Sequence, residues 1–202
     1  MGSESAAADP GENRTVRAIL EAGALCLARL GQDKTSMQVI ADAAGLNRTT
    51  VYRYFGDRNQ LFTAIGEYER DKQREQIRER IPGNASLEDA LATIGEVLAA
   101  TALAFHVPEH LRRHDRGLAL YYGLFGYDRH GWIASLVRPY IAGARQAGGL
   151  APDVTEDEAV EWAALVLMLI ETLPSSVSLD ISDPRAVGRS FARRICAGLG
   201  RR

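Results

Sequence analysis

Cysteine is scarce in this chain of 202 residues: Cys26 and Cys196 lie far apart and form no CxxC pair. Each falls at an apolar position of a helical pattern, so we expect buried free thiols rather than a disulfide framework. Long hydrophobic runs are also lacking, because the longest, Trp162 to Ile170, is far shorter than the ~20 residues of a membrane span. These features exclude a disulfide scaffold and predict no membrane partner.

Catalytic signatures are missing as well. There is no Ser-His-Asp ordering cue, phosphate-cradling glycine loop, HExxH or paired metal motif, so the sequence predicts neither an enzyme nor a cofactor. Residues 1–11 have the composition of a disordered tail and lack the order of a signal peptide, which favours a cytoplasmic protein. The net charge of −2 indicates no general affinity for nucleic acid, yet four basic residues accompany two acidic ones between Lys34 and Arg58.

The stretch from Thr35 to Phe62 has the pattern of two short helices around a tight turn, followed by a third helix. Thr35 and Asp57 are each followed three residues later by glutamine, which is the spacing of a capping box. Gly45 stands where a helix ends in a left-handed residue, and Asn47 is placed to cap the next helix. These are the ingredients of a helix-turn-helix that lays its second helix in the DNA major groove.

That second helix, Asn47 to Tyr54, carries too many polar side chains for all of them to be core. Its Arg, Asn, Thr and Tyr side chains are of the types that bind base edges and phosphates. The free backbone amides at the start of the preceding helix suit a phosphate as well. The predicted DNA-binding residues are Thr35, Ser36, Asn47, Arg48, Thr49, Thr50, Tyr52, Arg53, Tyr54 and Arg58.

The run IADAAGLNRTTVYRYFGDRNQLF resembles the signature of the TetR (tetracycline-repressor-like) family of bacterial transcription regulators. It departs from that pattern at Asn47, Thr49 and Arg58, where the family commonly has Ser, Gly and Lys. The resemblance implies a repressor that dimerises through its last two helices, binds an inverted-repeat operator in double-stranded DNA and is released by a small molecule. Arg58 keeps the positive charge of the family's lysine, so we expect it to contact a phosphate.

Helical periodicity extends through the rest of the chain and predicts an all-α fold of about nine helices. We expect an N-terminal three-helix helix-turn-helix domain over residues 12–65, whose last helix continues to about residue 80 as a connector. A larger helical domain for ligand binding and dimerisation follows over residues 81–202. Capping signals at Ser86, Thr155 and Asp183 mark the starts of three of its helices.

Glycine and aromatic residues alternate between Gly117 and Trp132, a pattern that fits either a pocket for a small hydrophobic or aromatic ligand or plain core packing. Arg138 or Glu171 could match a charge on such a ligand. The candidate ligand-binding residues are Phe105, Tyr121, Tyr122, Phe125, Trp132, Arg138, Trp162 and Met168.

The helix from Val160 to Leu173 is apolar around most of its circumference, which predicts burial on nearly every side. Dimerisation through this helix and the last one would provide that burial. The candidate interface residues are Trp162, Leu165, Leu169, Val187, Phe191 and Ile195. Arg185, Arg189 and Arg193 form a stripe that could face the acidic residues from Glu156 to Glu161 or serve as a DNA-binding tail.

Two other functions remain open at this point. His106, His110 and His114 recur at four-residue spacing, which fits either a metal-responsive regulator or surface histidines on an amphipathic helix. A helical module that binds protein rather than DNA is the second alternative. The two alternatives differ in the role of the outward face of Asn47 to Arg53, which contacts DNA only in a DNA-binding regulator.

Overall fold

The computed structural model describes residues 10–104, 129–171 and 176–200, and these residues form eight α-helices and no strand. The all-α prediction is confirmed for this part of the chain. The helices are α1 (Pro10–Leu30), α2 (Met37–Ala43), α3 (Arg48–Phe55), α4 (Arg58–Arg80), α5 (Leu87–Ala104), α6 (Arg129–Gln146), α7 (Glu156–Ile170) and α8 (Pro184–Leu199). The described residues divide between two compact units, 10–69 and 70–200, so that α4 begins in the first and ends in the second.

In the first unit, α1, α2, α3 and the start of α4 enclose a small apolar core. Its fully buried side chains come from all four helices and include Ile19, Leu27, Ile40, Val51, Leu61 and Ile65. The helices α1 and α4 approach closely at Gly23, where a Cβ atom would lie 2.4 Å from the Ile65 Cδ1 atom. A glycine at this position is therefore what lets the long first helix pack against the base of α4.

Short polar residues begin several of the helices as the sequence predicts. The Asp57 carboxylate accepts a hydrogen bond from the Gln60 backbone N–H at 2.9 Å, directly before α4. Thr155 and Glu158 form the reciprocal capping box of α7, and Asp183 caps α8 with Pro184 in its first turn. Each cap satisfies backbone N–H groups that have no partner within their own helix.

In the second unit, α5 and α8 pack most closely, although they are far apart in the sequence. Gly95 and Gly188 meet at this crossing, where a Cβ on Gly95 would lie 3.0 Å from the Gly188 Cα atom. Around the crossing, α4, α6 and α7 contribute buried residues that include Ile77, Ile133, Val137, Ala163 and Leu167. Within the described residues, no helix combines the length and the apolar character that crossing a membrane requires.

Candidate nucleic-acid interface

The turn between α2 and α3 has the backbone conformation that the sequence predicts. Gly45 has a φ of +67°, in the left-handed region that glycine adopts without a steric penalty. The Leu46 N–H then donates to the Ala41 carbonyl oxygen at 2.9 Å, which closes the turn. Asn47 occupies the cap position of α3, but its side chain makes no capping bond with the described residues. Its exposed amide is therefore available to a ligand.

One face of α3 anchors the helix and the other faces solvent. Val51 and Phe55 are buried in the core, as expected from their spacing. The exposed side chains are Asn47, Arg48, Thr49, Tyr52 and Arg53, and those of Thr50 and Tyr54 are half-buried. The chain therefore brings seven of the predicted DNA-binding residues together on or beside one short helix.

The two arginines of α3 are each held against a tyrosine. The Arg48 Nη2 group donates to the Tyr52 hydroxyl at 3.0 Å, and its guanidinium carbon lies 5.1 Å from the centre of that ring. Arg53 makes the same pair of contacts with Tyr54, at 3.4 Å and 5.0 Å. These contacts restrict the rotamers of both arginines, which reduces the entropy that they lose on binding.

Two of the predicted DNA-binding residues precede α2, and the side chain of each makes a hydrogen bond within the chain. Thr35 is 1% exposed, and its hydroxyl donates to the Gly31 carbonyl oxygen at 2.8 Å. Its assignment as a DNA contact is therefore wrong, and so is its assignment as the cap of α2. Ser36 is the cap, because its side chain accepts the Val39 N–H at 3.2 Å and itself remains exposed.

Arg58 is directed into the first unit rather than toward a phosphate. Its Nε group donates to the Thr35 carbonyl oxygen at 3.1 Å, and its Nη2 group donates to the carbonyl oxygen of Gln32. The guanidinium carbon also lies 4.4 Å from the centre of the Phe62 ring. The expected phosphate contact does not hold, because Arg58 fastens the loop before α2 to the start of α4.

The predicted ligand pocket is only partly covered by the described residues. Phe105, Tyr121, Tyr122 and Phe125 lie outside them, as do the three clustered histidines of the metal alternative. Trp132 is buried, and Met168 is half-buried against the core of the second unit.

Two other predicted pocket residues have side chains at the surface. Arg138 is half-exposed and pairs with Asp157 at 2.8 Å and with Glu156 at 3.6 Å. Trp162 is 46% exposed.

The ion pairs of Arg138 and Arg185 bear on the expected role of the arginine stripe on α8. The acidic start of α7 is held by α6, whereas Arg185 lies 3.9 Å from Glu96 on α5.

The second unit contains a buried polar cluster that the sequence pattern largely fails to predict. The Arg129 guanidinium forms an ion pair with the Glu171 carboxylate, and both side chains are almost completely buried. Gln73 is 4% exposed and accepts hydrogen bonds from the same guanidinium. One available signal was the spacing of Gln73 with Ile77 and Ile81, which places a glutamine on the apolar face of a highly charged helix. No local pattern marks Arg129.

Helix α7 leaves a row of large apolar side chains in solvent. Trp162, Leu165 and Leu169 are 46%, 43% and 54% exposed, and their spacing places them on one face. The expectation of burial on every side is therefore not met within a single chain. The predicted interface is wrong for Val187 and Ile195, which are 2% and 0% exposed because they pack into the chain's own core. The side chain of Phe191 is half-buried.

Comparison with known proteins agrees with the resemblance to the TetR family that the sequence of the first unit shows. Residues 19–65 match the family described as bacterial regulatory proteins, tetR family. The chain is 35% identical over 83 residues to the HTH-type transcriptional repressor LfrR of Mycolicibacterium smegmatis, an alignment that covers 41% of this chain and 43% of LfrR. The chain therefore aligns with less than half the length of that repressor.

Solved structures share the fold over nearly the whole chain. A putative TetR-family regulator from Rhodococcus sp. has a TM-score of 0.64 at 18% identity, covering 91% of this chain and 99% of its own. The fatty acid degradation regulator FadR from Bacillus halodurans has a TM-score of 0.63 at 16% identity, covering 93% and 97%. Residues 19–65 therefore match the tetR family of bacterial regulatory proteins, and the fold of the chain is that of these solved TetR-family structures.

Proposed function

We propose that this protein is a sequence-specific DNA-binding transcriptional regulator, which acts as a homodimeric repressor on an inverted-repeat operator. A small hydrophobic or aromatic molecule that binds in the second unit releases it from DNA. The site of action is the cytoplasm, and the protein performs no catalysis. The observation that carries this proposal is the exposed face of α3, with Arg48 and Arg53 each held against a tyrosine.

The chemistry of that face fits a base-reading helix. A guanidinium group binds the O6 and N7 atoms of guanine with two hydrogen bonds, and each such contact contributes about 1–3 kcal/mol of discrimination. Asn47, at the exposed start of the helix, has the amide that pairs with adenine. The hydroxyls of Thr49 and Tyr52 are exposed nearby and suit phosphate oxygens.

A dimer follows from the small size of this surface. A single helix of eight residues contacts only a few base pairs, whereas two copies related by a twofold axis reach successive major grooves about 34–36 Å apart. The exposed row of Trp162, Leu165 and Leu169 on α7 supports this proposal, because a self-complementary apolar face is what a twofold interface requires.

Selection of random duplex DNA by the purified protein tests the DNA-binding proposal. We expect enrichment of an inverted repeat and a loss of about 5- to 150-fold in affinity for Arg48→Ala or Arg53→Ala, the equivalent of one lost base contact. Arg78→Ala is the matched control, because it removes the same charge from an exposed helical position in the second unit. Unchanged affinity in both α3 variants, or an equal loss in the control, would contradict the proposed recognition helix. The absence of any enriched sequence would favour a helical module that does not read DNA.

The dimer is tested separately by charge substitution on α7. The double variant Leu165→Glu, Leu169→Glu should sediment as a monomer, because four carboxylates would have to be desolvated in the interface. Val177→Glu is the matched control, since Val177 is also an exposed apolar side chain but lies in a loop outside α7. A double variant that remains dimeric in analytical ultracentrifugation would place the interface elsewhere.

A further inference from the structure

The second unit contains a buried polar cluster formed by the connector helix and the ends of two others. Arg129 is the first residue of α6, and Glu171 follows the last residue of α7. The Arg129 Nε group donates to the Glu171 Oε2 atom at 3.1 Å, and the Nη2 group donates to the Oε1 atom. Both Nη groups also donate to the Gln73 Oε1 atom at 3.3 Å. The cluster therefore joins α4, α6 and α7 through one guanidinium group.

Burying the charged groups of this cluster costs a large free energy of desolvation. Burial raises the pKa of Glu171 well above its ordinary value. Burial and the nearby charge of Arg70 lower the pKa of Arg129 to about 9. Glu171 also lies at the C-terminal end of α7, where the helix dipole disfavours a negative charge. Apolar residues of similar size are often as stabilising as a buried ion pair, so fold stability alone does not explain why charge is kept here.

Beside the guanidinium of this cluster lies a hydrogen-bond donor that has no acceptor in the part of the chain that the structure describes. The Arg129 guanidinium carbon lies 4.2 Å from the centre of the Trp132 ring, and Trp132 is 6% exposed. Its Nε1 atom meets no hydrogen-bond partner among the described residues, and neither does the buried Nε2 atom of His130. The indole N–H can only donate, and leaving such a group unpaired costs about 1–3 kcal/mol. The missing component of the cluster is therefore an acceptor.

We propose that the Arg129–Glu171–Gln73 cluster is the receptor for the carboxylate of a small apolar acid, which takes the place of Glu171 on Arg129 and accepts the N–H of Trp132. The inference rests on the proposed function, because it identifies the chemical class of the releasing ligand. The displaced Glu171 takes up a proton and remains buried without a charge. Trp132 and Ile133 lie in the buried apolar core of the second unit, which is why the proposed acid is an apolar one.

A cationic ligand fits the cluster less well than an acid does. A cation would have to take Glu171 from Arg129 and leave a buried guanidinium without its counterion. It would also add a positive charge where the field of Arg70 already acts on Arg129. A neutral ligand could accept the indole N–H, but in place of Glu171 it would lack the ion-pair attraction of a carboxylate and leave the buried guanidinium without a counterion.

Gln73 connects occupancy of the cluster to the DNA-binding unit through the backbone of α4. That helix runs without interruption from Arg58 to Arg80, so Gln73 and the first residues after the recognition helix belong to one element. Gln73 is fixed on its other side by its Nε2 group, which donates to the Thr101 hydroxyl at 2.9 Å. A ligand that shifts the Arg129 guanidinium therefore changes the partner of a residue within α4 itself.

Ligand binding is measurable at this site without DNA. The chain has two tryptophans, so the full-length Trp162→Phe variant reports only Trp132 by fluorescence. The probes are octanoate and phenylacetate, compared with octanamide, phenylacetamide and octylamine. We expect at least one carboxylate to change the Trp132 emission and to bind about ten-fold or more tightly than its own amide, a difference that corresponds to ~1.4 kcal/mol.

A paired substitution separates recognition of the carboxylate from simple filling of a cavity. Arg129→Gln combined with Glu171→Gln removes both charges with little change in volume, and it should bring carboxylate and amide to equal affinity. Arg138→Gln is the matched control on the same helix, because Arg138 also pairs with an acid but does so in solvent, and it should leave the preference unchanged. Circular dichroism verifies that each variant is folded. If the paired variant does not fold, Trp132→Phe, studied by calorimetry, replaces it and should weaken binding of the carboxylate.

Three results would overturn this inference: equal affinity for acid and amide in the parent protein, tighter binding of octylamine, or no binding of any carboxylate at millimolar concentration. Operator release provides the link to function, and octanoate or phenylacetate should dissociate the protein from its selected DNA. A protein that binds DNA but no carboxylate would refute the inference and leave the proposed function intact. A protein that binds carboxylate at Trp132 but selects no DNA would refute the proposed function and leave the receptor site intact.

Discussion

A single methyl group at the crossing of α5 and α8 should destabilise the second unit. In the variant Gly188→Ala, the new Cβ atom would lie 2.3 Å from the Ala92 carbonyl oxygen and 2.6 Å from the Glu96 backbone nitrogen. These distances are roughly 1 Å too short for a van der Waals contact. Both obstructing atoms belong to the backbone, so no rotamer change relieves the overlap and the two helices must move apart.

The size of the effect follows from two opposing contributions. Overpacking of this kind costs about 1–3 kcal/mol, and the upper end applies because a backbone has to move. Replacing glycine by alanine inside a helix returns up to ~1 kcal/mol. We therefore expect the free energy of unfolding to fall by about 2 kcal/mol.

The same substitution at Gly143 is the control, because this glycine lies within α6 and a Cβ there would meet no described atom within 4 Å. Gly143→Ala should stabilise the protein by about 0.5–1 kcal/mol. Urea unfolding followed by far-UV circular dichroism measures both variants. A Gly188→Ala protein as stable as the parent, or the same sign for both variants, would refute the close-packing argument.

Three further predictions concern other parts of the chain. Gly23→Ala should destabilise the first unit by pressing on the Ile65 Cδ1 atom, and adding Ile65→Val, which removes that atom, should restore part of the loss of melting temperature. The Thr155 hydroxyl and backbone N–H donate to the Glu158 carboxylate and lower its pKa. The stability that Glu158 adds is therefore present above the ordinary pKa of glutamate. It is lost as the pH falls through the lowered pKa of the folded protein. The stability difference between the parent and Glu158→Ala should thus be largest at neutral pH and shrink in acid, and a difference independent of pH would contradict the cap. Burial raises the pKa of Cys196 to about 11 and also raises the pKa of Cys26. Iodoacetamide should therefore label neither thiol rapidly until urea unfolds the protein. Rapid labelling of the native protein would indicate an accessible thiolate.

Local features of the fold were well predicted from the sequence because they depend on neighbouring residues. The cap by Asp57, the capping box of Thr155 with Glu158 and the left-handed Gly45 all form as expected. Each depends on side chains and backbone within about four positions, so their spacing contains the necessary information.

Features that depend on distant residues were predicted less well. The basic character of Arg58 indicated a phosphate contact, yet its guanidinium binds carbonyl oxygens more than twenty positions earlier. The partner of Arg129 follows it by 42 positions, and no local pattern connects the two. Helical periodicity could place Val187 and Leu165 on apolar faces, but it could not decide which face packs against the chain's own core and which remains in solvent.

The contact of α5 with α8 also sets an order of events during synthesis. The core of the second unit needs Gly188 against Gly95 and the apolar face of α8, which is made last. About 95 residues separate Ala104, the end of α5, from Leu199, and at about 5–20 residues per second they take on the order of 10 s to translate. During that interval α5 is exposed without its main partner, so α5 is the segment of a nascent chain that we expect chaperones to protect.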